Sequence, residues 1–401
     1  MTRSYLDHAS TSPIRPCARD AMQEVLAATS SGLLGDPARL HAEGISARDT
    51  LEGARESVAH WLGVRPRQVV FTSGATESIA TASWTAWREP SAPKHVVASA
   101  VEHSAVRAWA ARGPHTEVPV DHHGLVDPGQ LVDATRPDTA LVHLQWANHE
   151  VATRQPVEQV AELLAGGVDP RYSSRSAVRS DTPVPAAGAP RVPLLHTDAA
   201  QAGAAAPQAV ASGADLVSLS GHKLGGPAGI GVLVVRRNLR IGPLFVGGDQ
   251  ERARRAGMEN VAAAVGLAAV AEELSSSGAE EARRVAALGE RLVDWADRAD
   301  GIDLLGHPGR RAPHLVCLGL EGLEPQPVLL GLDQRGVAAH SGSSCSSEAF
   351  EPSPVLEAMG VDAQRSLRLS VGWSTTQADV DAAISALEEV LADLRSMRVR
   401  R

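Results

Sequence analysis

Leu216-Val217-Ser218-Leu219-Ser220-Gly221-His222-Lys223 sets a short apolar run against a glycine turn that ends on a lysine. The chain holds only two lysines, Lys94 and Lys223, among 38 basic residues. An exposed cation can be arginine with little consequence. A Schiff-base amine cannot, because guanidinium stays protonated and is a poor nucleophile. A lysine after a strand reads by default as a solvated strand end. Its retention in a chain that otherwise uses arginine is what gives it weight.

Upstream, Leu195-His196-Thr197-Asp198-Ala199-Ala200-Gln201 ends another apolar run on an acid. An aspartate there is either a helix N-cap or the partner of a protonated ring nitrogen. An acid at one strand end and a lysine after the next is the pair that pyridoxal phosphate requires. Ser220 and His222 add donors for its phosphate. Further strands are expected at residues 68–72, 95–99, 139–144, 192–197 and 230–235, with helical stretches between most of them. That alternation predicts an α/β fold with a mostly parallel sheet covered by helices. Beyond residue 258 a long Ala-rich helix leads to a smaller α+β region, with strands near 315–318 and 367–371. The expected division is a large domain over 14–257 and a smaller one from 1–13 and 258–401. Residues 166–191, rich in Ser, Arg, Pro and Ala, are expected to form a long surface insertion. The last helix carries Val380, Ile384, Leu387, Val390, Leu391 and Leu394 on one stripe, and starts on a Thr376/Asp379 capping box.

Composition narrows the class. The chain has 401 residues, 43% hydrophobic and 21% charged, with a formal net charge of −9. This is ordinary for a globular protein and supplies no general nucleic-acid or membrane surface. The amino terminus has no apolar signal core, so a cytoplasmic location is expected. Cys17, Cys317 and Cys345 are odd in number, far apart and without metal-ligand spacing, which fits reduced thiols. Cys17 and Cys317 are expected to be buried and inert.

Other segments add chemistry. Phe71-Thr72-Ser73-Gly74-Ala75-Thr76 reads as strand, turn and helix start, where free N–H groups and the Thr76 hydroxyl can cradle an anion. Any strand-to-helix turn uses these residues, so the signal is weak alone. A lone histidine such as His103, after the 95–99 strand, is usually structural. Beside a lysine and an aspartate of this kind it becomes a candidate for stacking and proton transfer. Cys345 sits in the small, polar stretch His340-Ser341-Gly342-Ser343-Ser344-Cys345-Ser346-Ser347, which suits an accessible nucleophilic thiolate. Arg368, flanked by Leu367 and Leu369, suits bidentate capture of a carboxylate.

Taken together these segments resemble a cysteine desulfurase of group I, among the class V aminotransferases with the fold-type I architecture of pyridoxal-phosphate enzymes. The resemblance spans nearly the whole chain. It adds Tyr5-Leu6-Asp7-His8-Ala9-Ser10-Thr11-Ser12-Pro13, Trp146-Ala147-Asn148-His149-Glu150 and Gly247-Gly248-Asp249-Gln250-Glu251-Arg252 to the stretches above. It implies that Lys223 holds the cofactor and shuttles protons, Asp198 pairs with the ring nitrogen and Gln201 bonds the ring oxygen. His103 would stack on the ring. Ala75, Thr76, Ser220 and His222 would hold the phosphate. Arg368, with Asn148 and His149, would bind L-cysteine. Cys345 would take the sulfur as a persulfide, leaving alanine, and pass it to an acceptor protein for iron–sulfur assembly, tRNA thiolation or another pathway. A homodimer is implied, with no membrane association and no direct nucleic-acid binding.

The chain departs from the family pattern in four places. His149 stands where a second Asn is usual, so substrate geometry or pH optimum differs. Met258 replaces a Thr that donates to the phosphate across a dimer interface, a loss on the order of 1.5–3 kcal/mol. Gly35-Asp36-Pro37 replaces Gly-Asn-Pro. The end at Arg401, shortly past the last helix, weighs against docking of an iron–sulfur scaffold. Two alternatives stay open at this level: a related lyase for selenocysteine or another amino acid, and an impaired scaffold of the same fold.

Overall fold

The computed structural model describes residues 3–88, 94–166, 193–341 and 352–399. Its main sheet has seven strands in the order Val69–Thr72, Gly231–Val235, Leu216–Ser220, Leu194–Asp198, Thr139–His143, His95–Ser99 and His115–Val118. Four neighbouring pairs are parallel, and only Gly231–Val235 runs against its neighbours. The inner strands are buried along their whole length. That is why they read as continuous apolar runs rather than as alternation. The edge strand His115–Val118 exposes most of its residues.

A smaller antiparallel sheet orders Ser366–Ser370, Leu315–Leu320 and Ile302–Leu305, and Ser4–Tyr5 pairs with Val337–Ala338. Two cores correspond to these sheets. The first gathers Phe71, Leu144, Leu195, Leu219 and Val232; the second gathers Leu6, Leu318, Leu332, Leu369 and Leu387. One helix, Val261–Ala296, serves both. Its first half buries Leu267, Val270 and Leu274 in the first core, and its second half buries Leu288, Leu292 and Trp295 in the other. A helix of 36 residues is about 54 Å long at 1.5 Å per residue, enough to reach both.

The last helix, Gln377–Val399, opens on the expected reciprocal cap: Asp379 N–H donates to Thr376 Oγ1 at 3.3 Å, and Thr376 N–H to Asp379 Oδ2 at 2.9 Å. Its apolar stripe enters the second core through Val380, Leu387, Val390 and Leu391. Among the described residues no helix is long and apolar enough to cross a membrane. The 166–191 insertion, beyond its first residue, lies outside the described residues. Of the two thiols expected to be buried, Cys317 is buried and Cys17 only half-buried. Helix Pro16–Ser30 leaves the Cys17 face partly open beside Glu273.

Candidate active site

The carboxyl ends of the parallel strands converge on one cavity, the usual binding place in such sheets. Lys223 follows Leu216–Ser220 in a single 3-10 turn, Asp198 ends its own strand, and His103 precedes the helix Ser104–Ala110. Arg368 comes from the other sheet, where it pairs in register with Cys317. The cavity is about 1150 Å³ counting its open mouth, and Ala75, Thr76, His103, His149, Asp198, Gln201, Ser220, His222, Lys223 and Arg368 all line it.

The anion cradle is built by close packing. Helix Ala75–Trp87 starts after Gly74 with no side-chain cap, so its first-turn N–H groups are left for another acceptor. Gly231 lies against that turn: a Cβ there would sit 2.5 Å from Gly74 Cα and 2.7 Å from Leu219 O, so only glycine lets the backbones approach. Ser220 Oγ and His222 Nδ1 are 3.0 Å apart at the same end of the cavity. Burial, and then the charge of Lys223, hold the His222 imidazole below its usual pKa.

Other contacts fix the walls. Asp198 Oδ1 accepts from Ala200 N–H at 3.0 Å. Gln201 Nε2 donates to Ala9 O at 2.9 Å, and its Oε1 lies 3.2 Å from His314 Nε2. An amide oxygen only accepts, so His314 carries its proton on Nε2. Burial pushes His314 down to about 4, with His8, Lys223, Arg368 and Arg311 adding to it. Arg368, 1% exposed, donates from Nη1 to His149 O at 2.8 Å and from Nη2 to Asp7 Oδ1 at 3.1 Å and Ser10 Oγ at 2.6 Å.

Asn148 is placed differently from its sequence neighbour. Its amide donates to Val101 O at 3.0 Å, and its oxygen accepts from Glu150 N–H and Val151 N–H at 2.8 Å each. It is fully buried and does not line the cavity; it builds the turn that presents His149. Cys345 lies in residues 342–351, outside the described residues.

Asp7, Ser10 and Glu150 had no role assigned from sequence. All three act on Arg368 or His149, and no local spacing reveals that. Tertiary pairing, including the Asp7–Ser370 bridge to the Ser366–Ser370 strand, brings the amino terminus to Arg368. Glu102, next to His103, is also unforeseen. Its Oε1 accepts from Gln145 N–H at 2.8 Å while Oε2 is buried without a partner. Burial raises its carboxyl to about 8; the Gln145 N–H opposes the rise and nearby Asp198 adds to it.

The donor set fits pyridoxal phosphate. A primary amine, a carboxylate for a ring nitrogen, an imidazole and a helix-start N–H cradle face one space of suitable size. Comparison with known proteins agrees. The family description "Aminotransferase class-V" matches residues 4–166 and 187–383. The cysteine desulfurase IscS of Methanosarcina thermophila is 34% identical across 98% of this chain and 93% of its own length. An IscS-like cysteine desulfurase of Mycobacterium tuberculosis is 37% identical across 98% and 97%. A solved NifS-like protein superposes with a TM-score of 0.83 at 28% identity, covering 98% of this chain and all of the other. The chain therefore belongs to the class V aminotransferase family, within its cysteine desulfurases, whose cofactor is pyridoxal phosphate.

Proposed function

We propose that this chain removes sulfur from L-cysteine, leaves alanine, and passes the sulfur through Cys345 to an acceptor protein. The observation that carries the reading is the convergence of Lys223, Asp198, His103 and Arg368 on one cavity from four separate segments. Pyridoxal phosphate, when bound, supplies the electron sink for negative charge developing on substrate carbon. Lys223 would hold it covalently and move protons to and from the substrate. Asp198 would keep its ring nitrogen protonated, and Gln201 and His149 would bond its ring oxygen or the substrate. His103 would cover the ring. Ala75, Thr76, Ser220 and His222 would hold its phosphate.

Arg368 would take the substrate carboxylate, kept in position by Asp7 and Ser10. Asn148 acts at one remove, through the turn that carries His149. The Cys345 thiolate would attack the substrate sulfur. An S–S bond forms as the C–S bond breaks, and the carbon left behind takes a proton. The products are alanine and a Cys345 persulfide, with no outside oxidant needed.

We read residues 14–257 as the cofactor domain and residues 1–13 with 258–401 as the smaller one. The second core supports this by drawing on Leu6 and then on residues from Val285 onward. We also read the protein as a cytoplasmic homodimer. Phe245, Val246 and Met258 are 48%, 82% and 63% exposed. Met258 borders a second hollow that shares Ser73 and Gly229 with the cofactor cavity. Apolar exposure beside a site is what a partner subunit would cover. Sedimentation at monomer mass in micromolar solution would remove the dimer reading.

The deciding experiment is single-turnover alanine release and persulfide labelling with L-cysteine, parent against Cys345→Ser. Alanine and labelled Cys345 in the parent, with neither in the variant, are expected. Bound cofactor without alanine would overturn the proposal.

A further inference from the structure

His149 has a ring nitrogen left over. Its side chain is buried, and Nε2 lies 3.4 Å from Glu150 Oε1. Glu150 is itself fixed, because Ser353 Oγ donates to its other oxygen. Burial works to raise the Glu150 carboxyl, but His149, Ser353 and Arg368 together hold it below its usual range, so it is a carboxylate. A carboxylate accepts only, so the His149 proton sits on Nε2. That leaves Nδ1 as a lone pair. It is buried and has no partner, and the residue lines the cofactor cavity.

The surroundings restrict what can meet that lone pair. His103 packs edge-on to His149 with ring centroids 5.0 Å apart. Arg368 Nη1 is bonded to the His149 carbonyl. Lys223 is near enough to depress the imidazole, after burial, the largest cause. The titratable and charged groups around it are thus Glu150 on its own segment, His103, Lys223 and Arg368, with Asp7 and His340 close to Arg368. A carboxylate would go to Arg368 and be repelled by the lone pair. A hydrogen-bond donor one bond from the carboxylate-bearing carbon would not. In an amino acid that donor is the α-amino group, which must also reach Lys223.

We propose that His149, oriented by Glu150, is a specificity residue whose Nδ1 accepts a hydrogen bond from the α-ammonium group of the incoming amino acid. This rests on the amino-acid substrate proposed above. The neutral imidazole selects for an amine between Arg368 and Lys223. Protonating it would place one more cation beside Lys223 and Arg368 and would oppose ammonium binding. The amide of an asparagine at this position can offer N–H as well as oxygen and would not discriminate in the same way.

The test uses holoenzyme labelled with ¹⁵N-histidine, the His149 signal being identified by its loss in His149→Asn. We expect Nε2 protonated and Nδ1 bare at neutral pH. L-Alanine, which has the amine and carboxylate but no thiol, should shift the Nδ1 resonance. 3-Mercaptopropionate, which has the thiol and carboxylate but no amine, should leave it in place. In parallel, His149→Leu should weaken equilibrium binding of L-alanine about tenfold, roughly one lost hydrogen bond, and leave binding of 3-mercaptopropionate within about twofold. A proton found on Nδ1, or a Nδ1 shift with 3-mercaptopropionate and none with L-alanine, would overturn the assignment. These readouts need no turnover, so a failure to release alanine would count against the desulfurase reading and not against this one.

Discussion

Two pairs of histidines meet in this molecule at nearly the same geometry. His143 and His196 lie opposite each other on neighbouring strands, with ring centroids 4.8 Å apart and planes at 76°. His103 and His149 meet in the cavity at 5.0 Å and 71°. The first pair is complete. Ser83 Oγ to His143 Nε2 is 3.2 Å, His143 Nδ1 to His196 Nδ1 is 2.8 Å, and His196 Nε2 to Ser218 Oγ is 2.8 Å. Every ring nitrogen has a partner and no water is needed. The second pair leaves His149 Nδ1 unpartnered beside an open space. Ring geometry therefore does not mark a site. An unfinished hydrogen bond next to a cavity does, because leaving it unmade costs about 1–3 kcal/mol unless a ligand completes it.

The buried histidines, the interior pair among them, should dominate the response to acid. Burial alone drives His143 down to about 3, and His196 well below its usual value with His143 adding to it. His8 joins them at about 4, for burial first, and His314 likewise at about 4. Each has a native pKa below its unfolded one. The stability each contributes is present above pH 6.5 and is lost as pH falls through the native value. At about 1.36 kcal/mol per unit, His8, His143 and His314 together cost on the order of 10 kcal/mol by pH 4. That rivals the whole stability of a domain. Circular dichroism should show cooperative unfolding between pH 6.5 and 4, and His143→Gln should move the midpoint lower. A parent chain with the same urea midpoint at pH 4 and pH 7 would remove this account of the buried histidines.

Glu102 stands between the two cases. It is buried like the interior pair and unfinished like His149. Its native pKa of about 8 is raised, with burial as the leading cause. The sign is now reversed: its contribution is fully present below the unfolded value and is lost as pH rises through about 8. The loss by pH 9 is on the order of 4–5 kcal/mol. Glu102→Gln should equal the parent at pH 5 and exceed it at pH 9 when urea midpoints are compared. Equal alkaline slopes for the two proteins would mean that Glu102 is ionised in the native state, and that the comparison has only two members.

These differences were legible in the sequence only where the chain itself decides them. His95–Ser99 and Leu216–Ser220 have the expected bounds, since an apolar run meets turn residues at each end. Gln68 is lost from its expected strand to a 3-10 turn that begins at Pro66. The edge strand His115–Val118 gave no apolar signal because it exposes most of its length. In the cavity, Lys223, Asp198 and His103 follow strands that could be read one at a time. Asn148 could not be separated from His149 by sequence, because adjacent residues of one turn point to different neighbours. The histidine pair in the sheet was invisible for a related reason. His143 and His196 are 53 positions apart, and each alone is an ordinary strand residue.

The smallest expected effect is the cleanest division between the two pairs. His143→Ala would strand one nitrogen of His196 and the Ser83 hydroxyl in a dry interior and leave a hole beside them. A cost of about 2–4 kcal/mol in urea or thermal unfolding is expected. The cofactor's absorbance should survive, since neither histidine lines the cavity. His103→Ala removes a half-buried ring whose Nδ1 accepts from Ala105 N–H at 3.1 Å and caps the helix Ser104–Ala110. That cap is worth about 1 kcal/mol. Its larger effect should fall on alanine release, lowered about 10²–10⁴-fold if the ring moves protons, and on the cofactor's spectrum if the ring covers it. The two variants should thus separate, one losing stability at constant spectrum and the other losing turnover at nearly constant stability. If His143→Ala instead perturbs the cofactor spectrum as strongly as His103→Ala, the interior chain from Ser83 to Ser218 is coupled to the cavity through Asp198 and Ser220, which lie two residues beyond His196 and Ser218 on the same strands.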